Sequence, residues 1–151
     1  MGDAILPRLD TSLEEVRRRL RVRLRRELHA SGGEFVGGGF QILAQLARAG
    51  AQSPSELADA LEVRTSTMTA HLDRLEEAGF VRRQPRAGGG GARLEVHLTE
   101  AGRAAYARYL ETRQRILREV LAGLEAEDLA HLSGLLERAV RAGASSGRRE
   151  G

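Results

Sequence analysis

The stretch from Ser53 to Gly79 limits the fold more tightly than any other part of this chain. Ser53 precedes Pro54 and stands three residues before Glu56, a capping box with proline at the first helical position, so a helix is predicted to begin there. Leu57, Ala58 and Leu61 form its buried face. The short turn Glu62-Val63-Arg64 leads to Thr65, after which Met68, His71, Leu72 and Leu75 mark one face of a second helix ending at Gly79. Two short helices on so tight a turn, followed by two strand-like segments, imply a helix-turn-helix with a hairpin behind it.

Those segments are Phe80 to Arg86 and Arg93 to Thr99; in the second, Leu94, Val96 and Leu98 alternate with Arg93, Glu95 and His97. Their link, Ala87-Gly88-Gly89-Gly90-Gly91-Ala92, reads as a flexible tip. Upstream, Leu13, Val16, Leu20, Leu24 and Leu28 recur at helical spacing, which predicts a long amphipathic helix from Thr11 to Ala30, with Thr11 and Glu14 as its capping box and Gly32-Gly33 as its end. After the glycine-rich Gly32 to Gly39, a helical pattern resumes at Phe40 and runs through Ile42, Leu43 and Leu46 to Gly50. Downstream, Thr99 caps a long helix carrying Tyr109, Leu110, Ile116, Leu117, Val120 and Leu121. A last helix carries Leu129, Leu132, Leu135, Leu136, Ala139 and Val140, and from Gly143 the composition predicts a disordered tail. The stripes from Leu13 to Leu28 and from Leu129 to Val140 exceed what one small winged domain covers alone, which points to a homodimer through the terminal helices.

At 151 residues the chain has room for one core, and 41% hydrophobic with 30% charged residues places it among globular proteins. The absence of cysteine removes disulfides, thiolate metal sites and thiol nucleophiles. With no apolar run near bilayer length and no signal pattern at the N-terminus, the expected location is the cytoplasm, with no membrane partner. All 24 basic residues are arginine at a net charge of +3, which a GC-rich genome explains as readily as phosphate binding does, so their distribution must decide. Aromatic residues are 3% with no Trp, too few for stacking on single-stranded nucleic acid.

That distribution favours double-stranded DNA. In a winged helix-turn-helix the second short helix enters the major groove and the hairpin reaches the neighbouring backbone. Subtracting the core face leaves Thr65, Ser66, Thr69, Ala70 and Asp73 outward, with Thr67 at the margin; hydroxyls there bond phosphate or base edges, although a Ser/Thr run also marks an ordinary helix start. Arg64, Arg74, Arg82, Arg83, Arg86 and Arg93 surround this helix and hairpin, while Asp73 and Arg74 equally suit a surface ion pair. Ala70 and the glycine tip withhold long donors from base-reading positions, so direct readout is expected to be modest. On the first helix, Arg18, Arg19, Arg21, Arg23, Arg25 and Arg26 form a solvated face or a second contact to nucleic acid, whereas Arg17 lies at the edge of the leucine stripe, placed to snorkel, pair with a partner chain or anchor an anion. His29, His71, His97 and His131 fall in four elements without metal-ligand spacing; His71 reads as a partly buried core residue whose titration would couple pH to binding. No nucleophile elbow, phosphate loop or paired carboxylates are recognisable, so no catalytic residue, metal or cofactor is assigned. A protein-interaction module and a helical ligand-binding protein without DNA binding stand as alternatives.

The stretch SPSELADALEVRTSTMTAHLDRLEEAGFVRRQPR, followed by LEVHLTEAGRA, resembles the MarR family of bacterial regulators, with LDRLEEAGFVRR and LTEAGR as its most specific parts; the resemblance spans Phe40 to about Leu136. It implies a mainly α fold with a small β wing: residues 33–98 a winged helix-turn-helix, residues 1–32 and 99–142 dimerisation helices, and 143–151 a tail. It further implies a homodimer on a palindromic operator, commonly a repressor, released by a small ligand that is often an aromatic acid. Arg64, Thr65, Ser66, Thr67, Thr69, Ala70, Arg74, Arg86 and Arg93 are the expected DNA-binding residues. An effector is expected between the dimerisation helices and the winged domain, where Leu28, Phe35 and Phe40 offer an apolar wall and Arg17 or His29 a partner for a carboxylate. This chain departs from the family at the wing tip, which usually carries an Arg that braces the recognition-helix Asp. Here that helix residue is Asp73, the tip is glycine, Ala92 occupies the Arg position, and Arg93 falls one residue late, on the other face of a strand unless a bulge intervenes.

Overall fold

A computed structural model describes residues 4–30, 39–86 and 93–146. Two compact units, Met1–Ile116 and Leu117–Gly151, make up the chain. In order, the elements are α1 (Ile5–Ala30), α2 (Gly39–Ala49), α3 (Pro54–Ala60), α4 (Thr65–Glu77), β1 (Val81–Pro85), β2 (Leu94–Leu98), α5 (Glu100–Val120) and α6 (Ala126–Ser146). Gly32-Gly33, Phe35 and the wing tip Ala87 to Ala92 lie outside the described residues.

The middle of the first unit is specified by its caps. Both arms of the Ser53–Glu56 capping box form: Glu56 Oε2 accepts from the Ser53 N–H at 2.7 Å, and Ser53 Oγ from the Glu56 N–H at 3.2 Å. Bonding to the Ser53 backbone and then to its side chain, with Arg86 and Arg93 nearby, lowers the Glu56 carboxyl below its ordinary value. α4 closes in a Schellman turn, in which Phe80 N–H donates to the Leu75 carbonyl and Gly79 N–H to that of Glu76, both at 2.9 Å, with Gly79 at φ +76°. α3 closes with the same pair of bonds, but its left-handed residue is Glu62 at φ +53°, a conformation in which an L side chain costs about 1–2 kcal/mol.

β1 and β2 pair antiparallel, with Val81 opposite Leu98 and Pro85 opposite Leu94. Gln52 adds a short third rung, exchanging backbone bonds with Val96. A single bridging residue flanked by helices cannot show strand alternation, so this rung had no sequence signal. The core beneath comprises Ile42, Leu43 and Leu46 of α2, Leu57 and Ala58 of α3, Met68, Leu72 and Leu75 of α4, Val81 and Val96. Met68, Leu72 and Leu75 are buried on that face, which fixes the face α4 leaves to solvent.

Two boundaries differ from the sequence reading. α1 begins at Ile5, not at Thr11; Thr11 lies inside the helix and its hydroxyl donates to the Pro7 carbonyl at 2.9 Å, so it caps nothing. Proline is tolerated there because Pro7 stands in the first turn, where backbone N–H groups have no helical partner. α6 continues past Gly143 to Ser146, since one glycine weakens a helix by about 1 kcal/mol without ending it. Gly39, the last residue of the glycine-rich stretch, is the first residue of α2 and is buried.

The second unit consists of the last turn of α5, the following turn and α6, which leaves Leu135, Leu136 and Val140 exposed, Val140 at 72%. On α1, Ile5, Leu6, Leu9, Leu13 and Val22 are exposed as well. No helix of the described residues is long and apolar enough to cross a membrane.

Candidate nucleic-acid interface

The outward face of α4 carries Thr65, Ser66, Thr67, Thr69 and Ala70, all exposed. The core fixes this face, because Met68, Leu72 and Leu75 are at most 1% exposed and cannot rotate out. Thr67, placed at the margin by spacing, is exposed with the rest. Arg64 is the N-cap in extended backbone and makes no side-chain cap, so the N–H groups of the first turn keep their outward donors. Thr69 donates its hydroxyl to the Thr65 carbonyl at 3.0 Å and keeps its oxygen lone pairs for a ligand. The face is short-chained and bordered by arginine, a surface that lets a polyanion approach the backbone closely.

The arginines around it fall into two groups. Arg64, Arg74 and Arg82 are exposed and ion-paired to no described residue. Arg83 is committed inward: its Nη2 lies 2.7 Å from Asp73 Oδ1, its Nη1 2.8 Å from Glu76 Oε2, and its backbone N–H donates to Glu76 Oε1 at 2.9 Å. Burial opposes the Arg83 charge, and the bonds to Asp73 and Glu76 outweigh it, raising its pKa above the ordinary guanidinium value. Arg83 therefore leaves the set of cations facing a duplex, and the surface pair expected between Asp73 and Arg74 is replaced by Asp73–Arg83. Strand alternation held the signal: Val81 points to the core, so Arg83 points the same way, toward the i, i+3 pair Asp73 and Glu76, while Arg82 points out.

Of the wing residues, Arg86 Nε lies 3.2 Å from Glu95 Oε1, and Arg93 is exposed, its carbonyl accepting the Arg86 N–H at 2.7 Å. His97 Nε2 is 3.6 Å from the other Glu95 oxygen. His71 is half-buried, on the side expected.

A cleft of about 580 Å³ lies between α1, α2 and α5. It brings together three of the residues expected around an effector, Arg17, Leu28 and Phe40. Phe35 and the side chain of His29 lie outside the described residues. Spacing alone missed the other wall: Tyr109 stacks on Phe40 with ring centroids 3.9 Å apart, Tyr106 stands 6.4 Å from Tyr109, and Arg21, Arg25 and Arg113 border the opening. Arg17 is 3.7 Å from Glu14. Glu27 of α1 pairs with Arg115 of α5.

The MarR family model matches residues 39–88. The HTH-type transcriptional regulator PecS of Dickeya dadantii is 40% identical over 102 residues, 66% of this chain. The chain spans 61% of the length of that curated relative. A MarR family protein from Bacillus stearothermophilus has the same fold, with a TM-score of 0.81 at 24% identity over 95% of this chain and 99% of its own. A mutant of MarR from E. coli, solved in complex with operator DNA, matches at 26% identity with a TM-score of 0.68, covering 92% of this chain and 97% of its own.

Proposed function

We propose that this chain, which belongs to the MarR family, is a homodimeric transcriptional regulator that binds a palindromic operator through α4 and acts as a repressor. The observation that carries the reading is the face of α4: five short side chains, all exposed, held outward by a buried opposite face and bordered by Arg64 and Arg74. Thr65, Ser66, Thr67, Thr69 and Ala70 face the major groove, Arg64 and Arg74 meet the backbone, and Arg93, with the exposed Arg82, meets flanking phosphates, whereas Arg86 is held by Glu95 at 3.2 Å. Residues 33–98 serve as the DNA-binding part, and 1–32 with 99–142 as the dimerising part. The apolar residues that α1 and α6 leave exposed supply the surface for a second copy. Two recognition helices then meet successive major grooves about 34 Å apart. Titrating duplex DNA at two salt concentrations tests this reading: affinity should fall steeply as salt rises, since neutralised phosphates release counterions. Absence of duplex binding refutes it in favour of a protein-docking or ligand-binding role.

The cleft favours a ligand as the controlling input. Its stacked Phe40–Tyr109 pair and arginine rim suit a small aromatic carboxylate, with Arg17 among the partners for the acid. Thermal stabilisation by aromatic acids, lost in Phe40→Ala, supports this assignment; equal stabilisation of parent and variant places the site elsewhere.

A further inference from the structure

We propose that Arg83 is a positioning residue for DNA binding, the brace that sets the recognition helix against the root of the wing. The proposal rests on the DNA-binding reading above. A winged helix reads DNA only when the recognition helix and the hairpin keep a fixed relation, because each meets a different part of the duplex. Here the wing tip, residues 87–92, consists of alanine and glycine and carries no side chain able to hold α4. β1 supplies that hold. Arg83 makes three bonds to α4, to Asp73 at 2.7 Å and to Glu76 at 2.8 and 2.9 Å, and its side chain is only 21% exposed.

Two features of the geometry suit positioning better than contact with phosphate. The planar guanidinium spans two carboxylates one helical turn apart, a fork that Lys cannot reproduce. The Arg83 backbone N–H joins the same carboxylate, so β1 itself, not merely a side chain, is tied to Glu76. Asp73 is 60% exposed on the side chain and borders the outward face, where a bare carboxylate would repel a phosphate backbone. Arg83 cancels that charge from behind without occupying the face.

The test compares Arg83→Met and Arg83→Lys in the full-length protein, reading duplex affinity across a salt series together with amide hydrogen exchange over Thr65–Glu77 in the absence of DNA. Arg83→Met is expected to bind on the order of tenfold more weakly, within the range for members of one ion-pair network. Its log–log salt plot should run parallel to the parent's, because no phosphate contact is lost, and α4 should exchange faster. Arg83→Lys should recover part of both effects. A salt slope shallower by about two units in the dimer, at about 0.9 per lost contact, places Arg83 on a phosphate and overturns the proposal, as does parental affinity in Arg83→Met. Should Arg83→Met not fold, Arg83→Lys carries the same comparison with a smaller expected loss. If the parent binds no duplex, the DNA-binding reading fails by itself, and unchanged exchange in α4 then separately overturns the brace.

Discussion

Replacing Gly102 by Ala should destabilise the protein even though alanine is the better helix former. Gly102 lies in the first turn of α5, where a Cβ would stand 2.1 Å from the Phe80 carbonyl oxygen and 2.8 Å from Leu98 Cδ1. The leucine can swing away; the carbonyl is backbone and is already engaged, accepting the Thr99 N–H at 3.0 Å. Thr99 ties the same corner twice more, donating its hydroxyl to the Gly79 carbonyl at 2.7 Å and accepting the Gly102 N–H at 3.0 Å. Relief therefore requires α5 to move off the turn that ends α4. Overpacking of this kind costs about 1–3 kcal/mol, and helix propensity returns about 1 kcal/mol of it. With a backbone atom as the obstacle, the upper part of that range applies, a net loss of about 2 kcal/mol. In a chain of this size that lowers the unfolding midpoint by about 4–8 °C. Gly134→Ala is the matched control: it also lies in a helix, and nothing stands within 4 Å of its added Cβ, so it should gain up to about 1 kcal/mol. Thermal and urea unfolding at one fixed protein concentration read both variants, since association shifts midpoints. A Gly102→Ala midpoint at or above the parent's refutes the reasoning; a loss at Gly134 places a second copy against α6 and leaves the Gly102 argument standing.

Two carboxylates set an acid limit: hydrogen bonds from Arg18 and then Arg19 hold Glu15 at about 2 against an ordinary 4.5, and the capping box lowers Glu56. A depressed carboxyl stabilises the fold above its ordinary value and loses that contribution as pH falls through the folded one, so helicity should decline from about pH 4.5 toward 2 and decline less in Glu15→Gln, as circular dichroism will read. Leu135→Asp with Val140→Asp should convert the proposed dimer to a monomer by light scattering, and an unchanged mass would move the interface off α6. Tyr109→Phe should retain the stabilisation by aromatic acids that Tyr109→Ala loses, because the stack on Phe40 needs the ring; calorimetry showing equal binding by both would contradict the cleft assignment.

The helix-turn-helix was legible because its signals are local. Ser53-Pro54-Glu56 and Gly79 fix the ends of α3 and α4 within a few residues of sequence, and the buried face of α4 follows from one period. What escaped depended on context that no window holds. Thr11 has the form of a cap, but Ile5, Leu6 and Leu9 extend the apolar spacing beneath Pro7, and a proline in a first turn interrupts nothing. Arg83 was counted by charge among the cations of the wing, whereas its face is set by Val81 two residues earlier. Tyr106 and Tyr109 lie more than sixty residues from Phe40, and only the seating of α5 on Phe80, through Gly102, brings them to the cleft. The motif LTEAGR signalled a junction; its meaning is the Thr99 cap and the missing side chain at Gly102.

The division among the arginines sets the strength of the salt effect, and hence the last prediction. Six arginines surround α4 and the hairpin in the sequence, but Arg83 is bound by Asp73 and Glu76, and Arg86 faces Glu95 at 3.2 Å. Four remain in each protomer without an ion pair to any described residue: Arg64, Arg74, Arg82 and Arg93. A cation that must leave a carboxylate to reach phosphate exchanges one ion pair for another and releases little net counterion. The proposed dimer would therefore neutralise at most about eight phosphates through this set, and at about 0.9 per contact its log affinity should fall with log salt at a slope no steeper than about −7. Arg64→Ala and Arg74→Ala should each flatten the slope, by about two units in the dimer, and weaken all duplexes alike, whereas Arg86→Ala should change it little. Fluorescence anisotropy over a salt series on operator and random duplexes measures all of these. A slope near −9, or an Arg86→Ala effect as large as that of Arg64→Ala, would mean that Glu95 gives up its partner on DNA and that the wing root contacts the backbone directly.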